Sequence, residues 1–149
     1  MREILFRGQM RKKGEKVNMA GEPLDGIWIY GGIFAENSNS DRCIITSYED
    51  LKKHLVHADT VGQFTGLTDK NGRRIFEGDI VERVYYDTAN CVVIYDENTG
   101  KFRLISVEDY KHYTTHPELN IYNIEQDMFC IEITVLGNVH DNPEMLDRE

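Results

Sequence analysis

Residues 60–81 read TVGQFTGLTDKNGRRIFEGDIV, a stretch that sets turn residues at close intervals between short apolar segments. Its central run, DKNG at 69–72, is typical of a tight chain reversal, because Asn71 and Gly72 tolerate a positive φ angle. The pair Gly78 and Asp79 predicts a second bend that leads into a strand. These residues specify a fold, and they contain no recognised catalytic motif.

The spacing of these turn residues resembles the signature of the YopX family, small proteins encoded mostly by phages and prophages. Weaker matches in the expected order are REILFRG at 2–8 and VLGNVHDNPEML at 135–146. Members of the family generally carry no established biochemical function, so the resemblance implies a phage context and a β-rich fold but no reaction. The signature positions, which we expect to be structural, are Thr60, Gly62, Gln63, Thr65, Gly66, Asp69, Asn71, Gly72, Gly78 and Asp79.

The composition is that of one soluble domain, or of one domain with an appended half. The chain has 149 residues, enough to bury a core, and no stretch approaches the roughly 20 consecutive apolar residues of a membrane-spanning helix. Its start, MREILFRGQMRKK, lacks an apolar run of secretory-signal length. We therefore expect a protein of the host bacterial cytoplasm that does not enter membranes.

From residue 57 onward the pattern is that of a β-meander with short, regular strands. Five such strands joined by tight turns cannot bury their apolar faces as a flat sheet, which favours a small, partly closed barrel. The prediction is a mainly β (α+β) fold: an SH3-like barrel over 58–140, a β-rich N-terminal elaboration over 1–57 and a short helical tail over 141–149, all in one domain. The predicted meander strands are 61–65, 74–76, 80–86, 91–95 and 101–107.

The N-terminal elaboration has weaker signals. A first hairpin is predicted from Ile4 through a Lys-Lys-Gly turn to Val17, and a strand over 26–35 is interrupted by Gly31 and Gly32, which indicates a bulge, a bend or two short strands. Ser47, followed by Tyr-Glu-Asp, has the spacing of a capping box and predicts a short helix. Residues 108–127 predict a loop or short helix over the barrel, and 128–139 predict its closing strand.

Charge is unevenly distributed along the chain. The net charge of −9 makes DNA or an anionic membrane an unfavourable partner for the surface as a whole. Residues 1–16 nevertheless hold six basic and two acidic residues, a net +4 that leaves −13 for the remainder. This segment is either a patch for an acidic partner or phosphate backbone, or a solvated hairpin that needs charge for solubility. Its basic residues are Arg2, Arg7, Arg11, Lys12, Lys13 and Lys16.

Metal-like patterns are present but incomplete. His54 and His57, with Asp59, could share a metal only if the segment were helical, and His112 and His116 lack the glutamate of a zinc-protease motif. Two Asp-containing turns, 69–72 and 96–100, resemble the start of a calcium loop without completing one, so hairpin turns explain them better. We predict no metal and no cofactor.

Nothing in the sequence predicts a catalytic residue. There is no nucleophile elbow, phosphate-binding loop or dinucleotide fingerprint, and the many carboxylates are not evidence of a paired acid and base. Cys43, Cys91 and Cys130 are too few and too widely spaced for a disulfide framework, and they are expected to be buried thiols. An enzyme with an unrecognised carboxylate or histidine site stays open as an alternative.

The aromatic residues exceed what one small barrel can hide, so some are expected at the surface, where they could bind a peptide, stack on bases or pair copies of the chain. Acidity favours the protein partners over nucleic acid. The predicted function is a non-enzymatic adaptor or modulator that binds a host or phage protein, or itself as a homo-oligomer; the alternative is nucleic-acid binding through the basic segment. The aromatics are Trp28, Tyr30, Phe34, Tyr85, Tyr86, Tyr95, Tyr110, Tyr113 and Tyr122.

Overall fold

The computed structural model describes residues 3–36, 41–84, 87–115, 124–125 and 132–147. The chain divides into two compact units, Met1–Gly66 (unit 1) and Leu67–Glu149 (unit 2). Within the described residues there is one α-helix, α1 (Val107–Thr115), and there are 3-10 helices at Ala58–Thr60 and Pro143–Asp147. The described strands are β1 (Phe6–Arg11), β2 (Ile27–Glu36), β3 (Arg42–Ser47), β4 (Lys53–His57), β5 (Gly62–Thr68), β6 (Arg74–Phe76), β7 (Asp79–Val84), β8 (Thr88–Asp96), β9 (Lys101–Ser106), β10 (Ile124–Glu125) and β11 (Glu132–Asn138).

The strands form two sheets, which confirms the prediction of a mainly β protein. The first sheet has the order β4-β3-β2-β1-β5-β6, and the second has the order β10-β9-β8-β7-β11. Neighbouring strands pair antiparallel, as short turns between consecutive strands require. No helix among the described residues combines the length and the apolar character needed to cross a membrane.

Unit 1 has a small apolar core on one face of its sheet. Strand β3 alternates, with Cys43 and Ile45 buried and Ile44 only partly buried, and Val56 of β4 lies directly across from Cys43. Because successive side chains of a strand point to opposite faces, Ile44 and its cross-strand neighbour Leu55 lie on the other face, where Leu55 is exposed.

Strand β2 is continuous through its glycine pair, and its register shift lies between Ile33 and Ala35, after the glycines. Gly31 is required for a different reason. A Cβ atom at Gly31 would lie 1.8 Å from the backbone oxygen of Thr46, whereas one at Gly32 would meet nothing closer than the Tyr48 hydroxyl at 3.8 Å. The two glycines therefore differ: the first allows close approach of β2 to β3, and the second has room for a methyl group.

Unit 2 is built around a sheet that is apolar on both faces. On one face Ile80, Val92 and Ile105 are buried beneath α1 and the C-terminal 3-10 helix, and on the other Val93 and Leu104 belong to a second buried cluster. This explains why residues 91–94 read as a continuous apolar run without alternation: a strand that is buried on both faces has no solvent side.

The predicted SH3-like barrel over 58–140 is not confirmed, and the described strands form no closed barrel. The meander is divided between the two sheets, since β5 and β6 belong to the first and β7, β8 and β9 to the second. Local spacing predicted the strands correctly. It could not predict their partners, because β5 pairs with β1, more than 50 residues earlier in the chain.

Two local predictions near the N-terminus were wrong. Strand β1 pairs with β2 rather than with a segment through Val17, which instead forms an isolated bridge with Pro23. The helix after Ser47 is absent: residues 48–50 form a turn that leads into β4. The Ser47 hydroxyl accepts the Glu49 N–H at 3.1 Å, as a helix cap would, but Leu51 at φ +59° reverses the chain before a second turn can form.

Candidate functional site

The signature carboxylate Asp69 fastens backbone from two parts of unit 2. One of its oxygens accepts the N–H groups of Asn71 and Arg73, each at 2.9 Å, which closes the turn between β5 and β6. The other accepts the Val135 N–H of β11 at 2.9 Å. Strand β11 ends the second sheet, and no further described strand pairs with it. Asp69 therefore accepts a hydrogen bond from an N–H group of an edge strand.

These bonds keep Asp69 ionised. Burial would raise the pKa of this carboxyl, but the backbone N–H groups of Val135, Arg73 and Asn71, with the nearby charge of Arg73, outweigh that effect and lower it. A carboxylate with a lowered pKa and its oxygens engaged by amides is a structural acceptor and a poor general acid at neutral pH.

Other signature residues bond in the same way. The buried Asp79 accepts the Phe76 N–H at 2.8 Å, and the Thr60 hydroxyl accepts the Gln9 N–H at 2.8 Å while donating to the His57 carbonyl at 2.7 Å. Gly72 has φ +81° and Gly78 has φ +91°, conformations that favour glycine. The turn predicted at 69–72 is confirmed, and these signature side chains bond to the backbone.

The basic N-terminal segment contains residues in very different environments. Arg7 is buried, and its guanidinium lies 4.6 Å from the ring centroid of Trp28. Arg11 donates to the Asp25 carbonyl at 3.2 and 2.9 Å, and Lys12 pairs with Asp59 at 2.7 Å. Lys13 and Lys16 are exposed, and Arg2 lies outside the described residues. Arg7, Arg11 and Lys12 are therefore engaged inside unit 1.

The histidines of unit 1 each meet one carboxylate. His57 Nε2 lies 2.5 Å from Glu15 Oε1, and His54 Nε2 lies 2.8 Å from Asp50 Oδ2. Because β4 is a strand, the three-residue spacing of the two histidines places them on opposite faces rather than around one metal. No group of three metal-ligating side chains occurs in the part of the chain that the structure describes. His116 lies outside that part.

The pair of His57 and Glu15 has one element of a catalytic relay, a carboxylate bonded to an imidazole ring. A nucleophile would have to bond the imidazole ring, whereas the neighbouring Thr60 hydroxyl donates to the backbone oxygen of His57. The geometry suits a fastening between the segment after β1 and the end of β4.

The turn between β3 and β4 presents apolar side chains on a braced backbone. Tyr48 is 55% exposed and Leu51 79% exposed. The backbone is held by the Leu51 N–H on the Ser47 carbonyl and by the Lys52 N–H on the Asp50 carboxylate, both at 2.9 Å. The hydrogen bonds that Asp50 accepts from the Lys52 N–H and makes with the His54 ring also lower its pKa. We call Tyr48 and Leu51 the hairpin tip.

Sequence patterns did not single out the hairpin tip. Its Ser-Tyr-Glu-Asp run pointed to a helix, and an isolated leucine carries no exposure signal. Of the aromatics expected at the surface, Tyr30 and Tyr95 are exposed, whereas Tyr110 and Tyr113 pack against the core beneath α1. Phe34, as a side chain, and Tyr85, Tyr86 and Tyr122 lie outside the described residues. Cys43 and Cys91 are buried, as predicted, and form no disulfide with each other; Cys130 lies outside the described part.

The sequence profile described as YopX protein matches residues 6–147, nearly the whole chain. The chain belongs to the YopX family. Among solved structures, it is similar to the crystal structure of protein EF1440 from Enterococcus faecalis, with 22% identity, 99% of this chain and 100% of that chain covered, and a TM-score of 0.47. A search of curated proteins found no match.

Within this YopX-family chain, the matched region spans both units and includes every signature residue. The hairpin tip lies within the same region, about ten residues before the signature stretch begins. Two kinds of feature thus lie inside the family region: a signature that fastens backbone, and an exposed apolar turn that contributes little to any buried core.

Proposed function

We propose that this YopX-family protein is a phage- or prophage-encoded, non-enzymatic adaptor or modulator that binds a protein partner in the bacterial cytoplasm. The observation that carries the proposal is the hairpin tip. Large side chains with exposed apolar area on a hydrogen-bonded turn are typical of contact residues, because that area is buried only when a partner covers it.

The backbone of the hairpin tip supports this proposal. Leu51 has φ +59°, a left-handed conformation that costs a non-glycine residue about 1–2 kcal/mol. Glycine or asparagine would adopt it with less strain. A leucine that is both strained and exposed is unfavourable for the free protein, and an interaction that buries its side chain offsets that cost.

The fold of unit 1 supports a binding module as well. Strands β4, β3, β2, β1 and β5 are neighbours in the first sheet, and the 3-10 helix Ala58–Thr60 joins β4 to β5. Because β3 and β4 pair antiparallel at the end of this sheet, the turn between them is a hairpin turn at the sheet's edge, a position suited to contact with a partner. Fold alone assigns no ligand, so the hairpin tip carries the functional argument.

The test is capture of partners from phage-induced host cells with the tagged full chain, followed by nuclease treatment and mass spectrometry. The discriminating variant is Leu51→Asn, which keeps the left-handed turn and removes the apolar side chain. The matched control is Leu136→Asn in unit 2, where the leucine is 39% exposed. We expect a stoichiometric, nuclease-resistant protein that is lost with the first variant and kept with the second.

Three results would overturn the proposal. They are a partner that both variants retain, recovery of nucleic acid in place of protein, and no stoichiometric partner at all. If nucleic acid is recovered, the exposed Lys13 and Lys16 become the residues to reverse in charge, because binding to phosphates then falls with each lost lysine and with rising salt.

A further inference from the structure

Strand β4 ends the first sheet, and the described residues place no strand beyond it. The backbone bonds at its two ends show which residues bond toward β3. The Ser47 N–H donates to the Lys52 carbonyl at 2.9 Å, and the Ala58 N–H donates to the Asp41 carbonyl at 2.7 Å. The backbone N–H and C=O groups of the even-numbered residues of β4 therefore face β3. In an antiparallel pair the alternate residues point away, so the N–H and C=O of Leu55, at the centre of β4, face outward.

The side chains along this edge are apolar at their centre. Leu55 is 58% exposed, and Ile44 lies directly opposite it on β3, on the same face and only partly buried. A strand that paired with β4 could place an apolar side chain next to Leu55 and so continue the row of Ile44 and Leu55. Cross-strand apolar pairs are the main stabilising unit of a sheet, so the edge has both the backbone and the side chains for pairing.

We propose that two copies of this protein join antiparallel through β4, with a two-fold axis at Leu55. Leu55 of one copy lies opposite Leu55 of the second, and the two Ile44 side chains flank them in one apolar row. The outward N–H and C=O groups of both Leu55 residues bond to each other. A C2 joint of this kind closes on itself and leaves no further β4 edge open.

Charge complementarity selects a second copy over another strand. The two-fold register sets Lys53 opposite His57 of the second copy, and His57 is already bonded to Glu15. The Glu15 side chain retains 34% exposure, so its carboxylate can be reached by the incoming lysine. A lysine on an edge usually blocks strand addition, but here its charge meets a carboxylate of the partner.

The first test locks the register by a disulfide. Leu55→Cys places two thiols on an antiparallel pair with Cα atoms about 5.5 Å apart, within the range a disulfide spans. Lys53→Cys is the matched control, because its two-fold mate lies four residues along the strand, about 13 Å away. We expect the first variant to form a covalent dimer on mild oxidation, and the control and the unaltered protein to remain uncrosslinked.

The second test is sedimentation of the full chain. Leu55→Pro removes the outward N–H without touching a bond to β3, and Leu55→Arg sets two like charges against each other at the axis. The unaltered chain should sediment as a dimer and both variants as monomers, with the emission of Trp28, the one tryptophan, showing that unit 1 stays folded.

A monomer at the highest soluble concentration would overturn the proposal. So would a dimer that both Leu55 variants retain and Leu55→Cys fails to crosslink. The proposal is independent of the partner-binding function, and the same variants separate the two: Leu51→Asn should leave the dimer intact, and Leu55→Arg should leave partner capture intact.

Discussion

The two units differ in charge and in what they expose. Unit 1 has nine basic and nine acidic residues, whereas unit 2 has eight basic and 17 acidic, so the whole net charge of −9 belongs to unit 2. Among the described residues, nine of the large hydrophobic side chains that are exposed lie in unit 1 and only Tyr95 and Leu136 lie in unit 2. Charge and apolar surface are thus separated along the chain.

The two units also differ in how much apolar surface they bury. Unit 2 buries apolar residues on both faces of its sheet and uses Asp69 to fasten an edge. Unit 1 has a smaller core and presents a strained turn and an open strand edge. The signature side chains Thr60, Asp69 and Asp79 therefore bond to backbone groups, and the exposed large apolar residues of the described part lie mainly in the neutral unit.

The largest expected effect comes from removing the fastening in unit 2. Asp69→Ala leaves three backbone N–H groups without their charged acceptor, and we expect the free energy of unfolding of unit 2 to fall by about 4 kcal/mol. Hydrogen exchange by mass spectrometry, read for each unit, is the measurement.

Asp69→Asn is the control for this prediction. It keeps one carbonyl oxygen and should lose only about half as much. Equal protection of unit 2 in the alanine variant and the unaltered chain would show that the signature carboxylate does not fasten this unit.

Gly31→Ala should have the next largest effect, this time on unit 1. Its methyl group meets the Thr46 carbonyl oxygen and forces β2 and β3 apart, at a cost of about 3 kcal/mol. Gly32→Ala, one residue away with room for a methyl group, should change stability by less than about 1 kcal/mol. Urea unfolding followed by Trp28 fluorescence reports on unit 1, and similar midpoints for the two variants would contradict the close-approach argument.

Acid should weaken unit 2 before unit 1. The folded-state pKa of Asp69 is lowered, and so is that of Asp96: burial opposes the shift, but bonds from Thr99, Asn98 and Arg103 outweigh it. Their stabilisation is present above the unfolded-state pKa of about 3.9 and is lost as the pH falls through the lower folded value. In unit 1 the exposed Asp50 contributes little, because solvent screens it.

The pH dependence can be followed by NMR, with amide signals of Val135 and Asn98 for unit 2 and the Trp28 indole for unit 1. We expect the urea midpoint of the unit 2 signals to fall as the pH drops below about 4, and expect Asp69→Asn with Asp96→Asn to reduce that fall. A urea midpoint that changes equally in both units, or in neither, would contradict the prediction that acid weakens unit 2 before unit 1.

The smallest expected effect is a gain in stability. Leu51→Asn relieves the left-handed strain of the hairpin tip and should stabilise unit 1 by about 1 kcal/mol. Thermal unfolding followed by Trp28 emission measures it, with Met19→Asn, at a fully exposed apolar side chain outside the hairpin tip, as the control. If the asparagine at 51 destabilises the protein, Leu51 contributes to the fold and its exposure is no longer an argument for binding.

Much of the fold could be predicted from local patterns. The strand at 74–76 and the turn at 69–72 followed from turn chemistry, since Asn and Gly at those positions leave the chain few alternatives. The helix predicted after Ser47 failed for a local reason, because a side chain that accepts the second following amide suits a turn as well as a helix. The edge function of Asp69 could not be foreseen, since Val135 lies 66 residues away.

The candidate sites depended still more on tertiary structure. The basic segment was visible as a charge cluster, but the burial of Arg7 against Trp28 and the pairing of Lys12 with Asp59 join residues that no periodicity relates. The exposure of Leu55 depends on which face of β4 the core occupies, and that face is chosen when β4 pairs with β3.

By itself, the sequence determined the β-rich composition, the positions of the tight turns and membership of the YopX family, because each depends on residue types at short spacing. The tertiary structure alone decided that the meander divides between two sheets, that Asp69 fastens β11 and that Leu51 and Leu55 are exposed. Those outcomes rest on contacts between segments that are distant in the chain. Whether such contacts form depends on the entropy lost in closing the intervening loop and on packing, and local patterns encode neither.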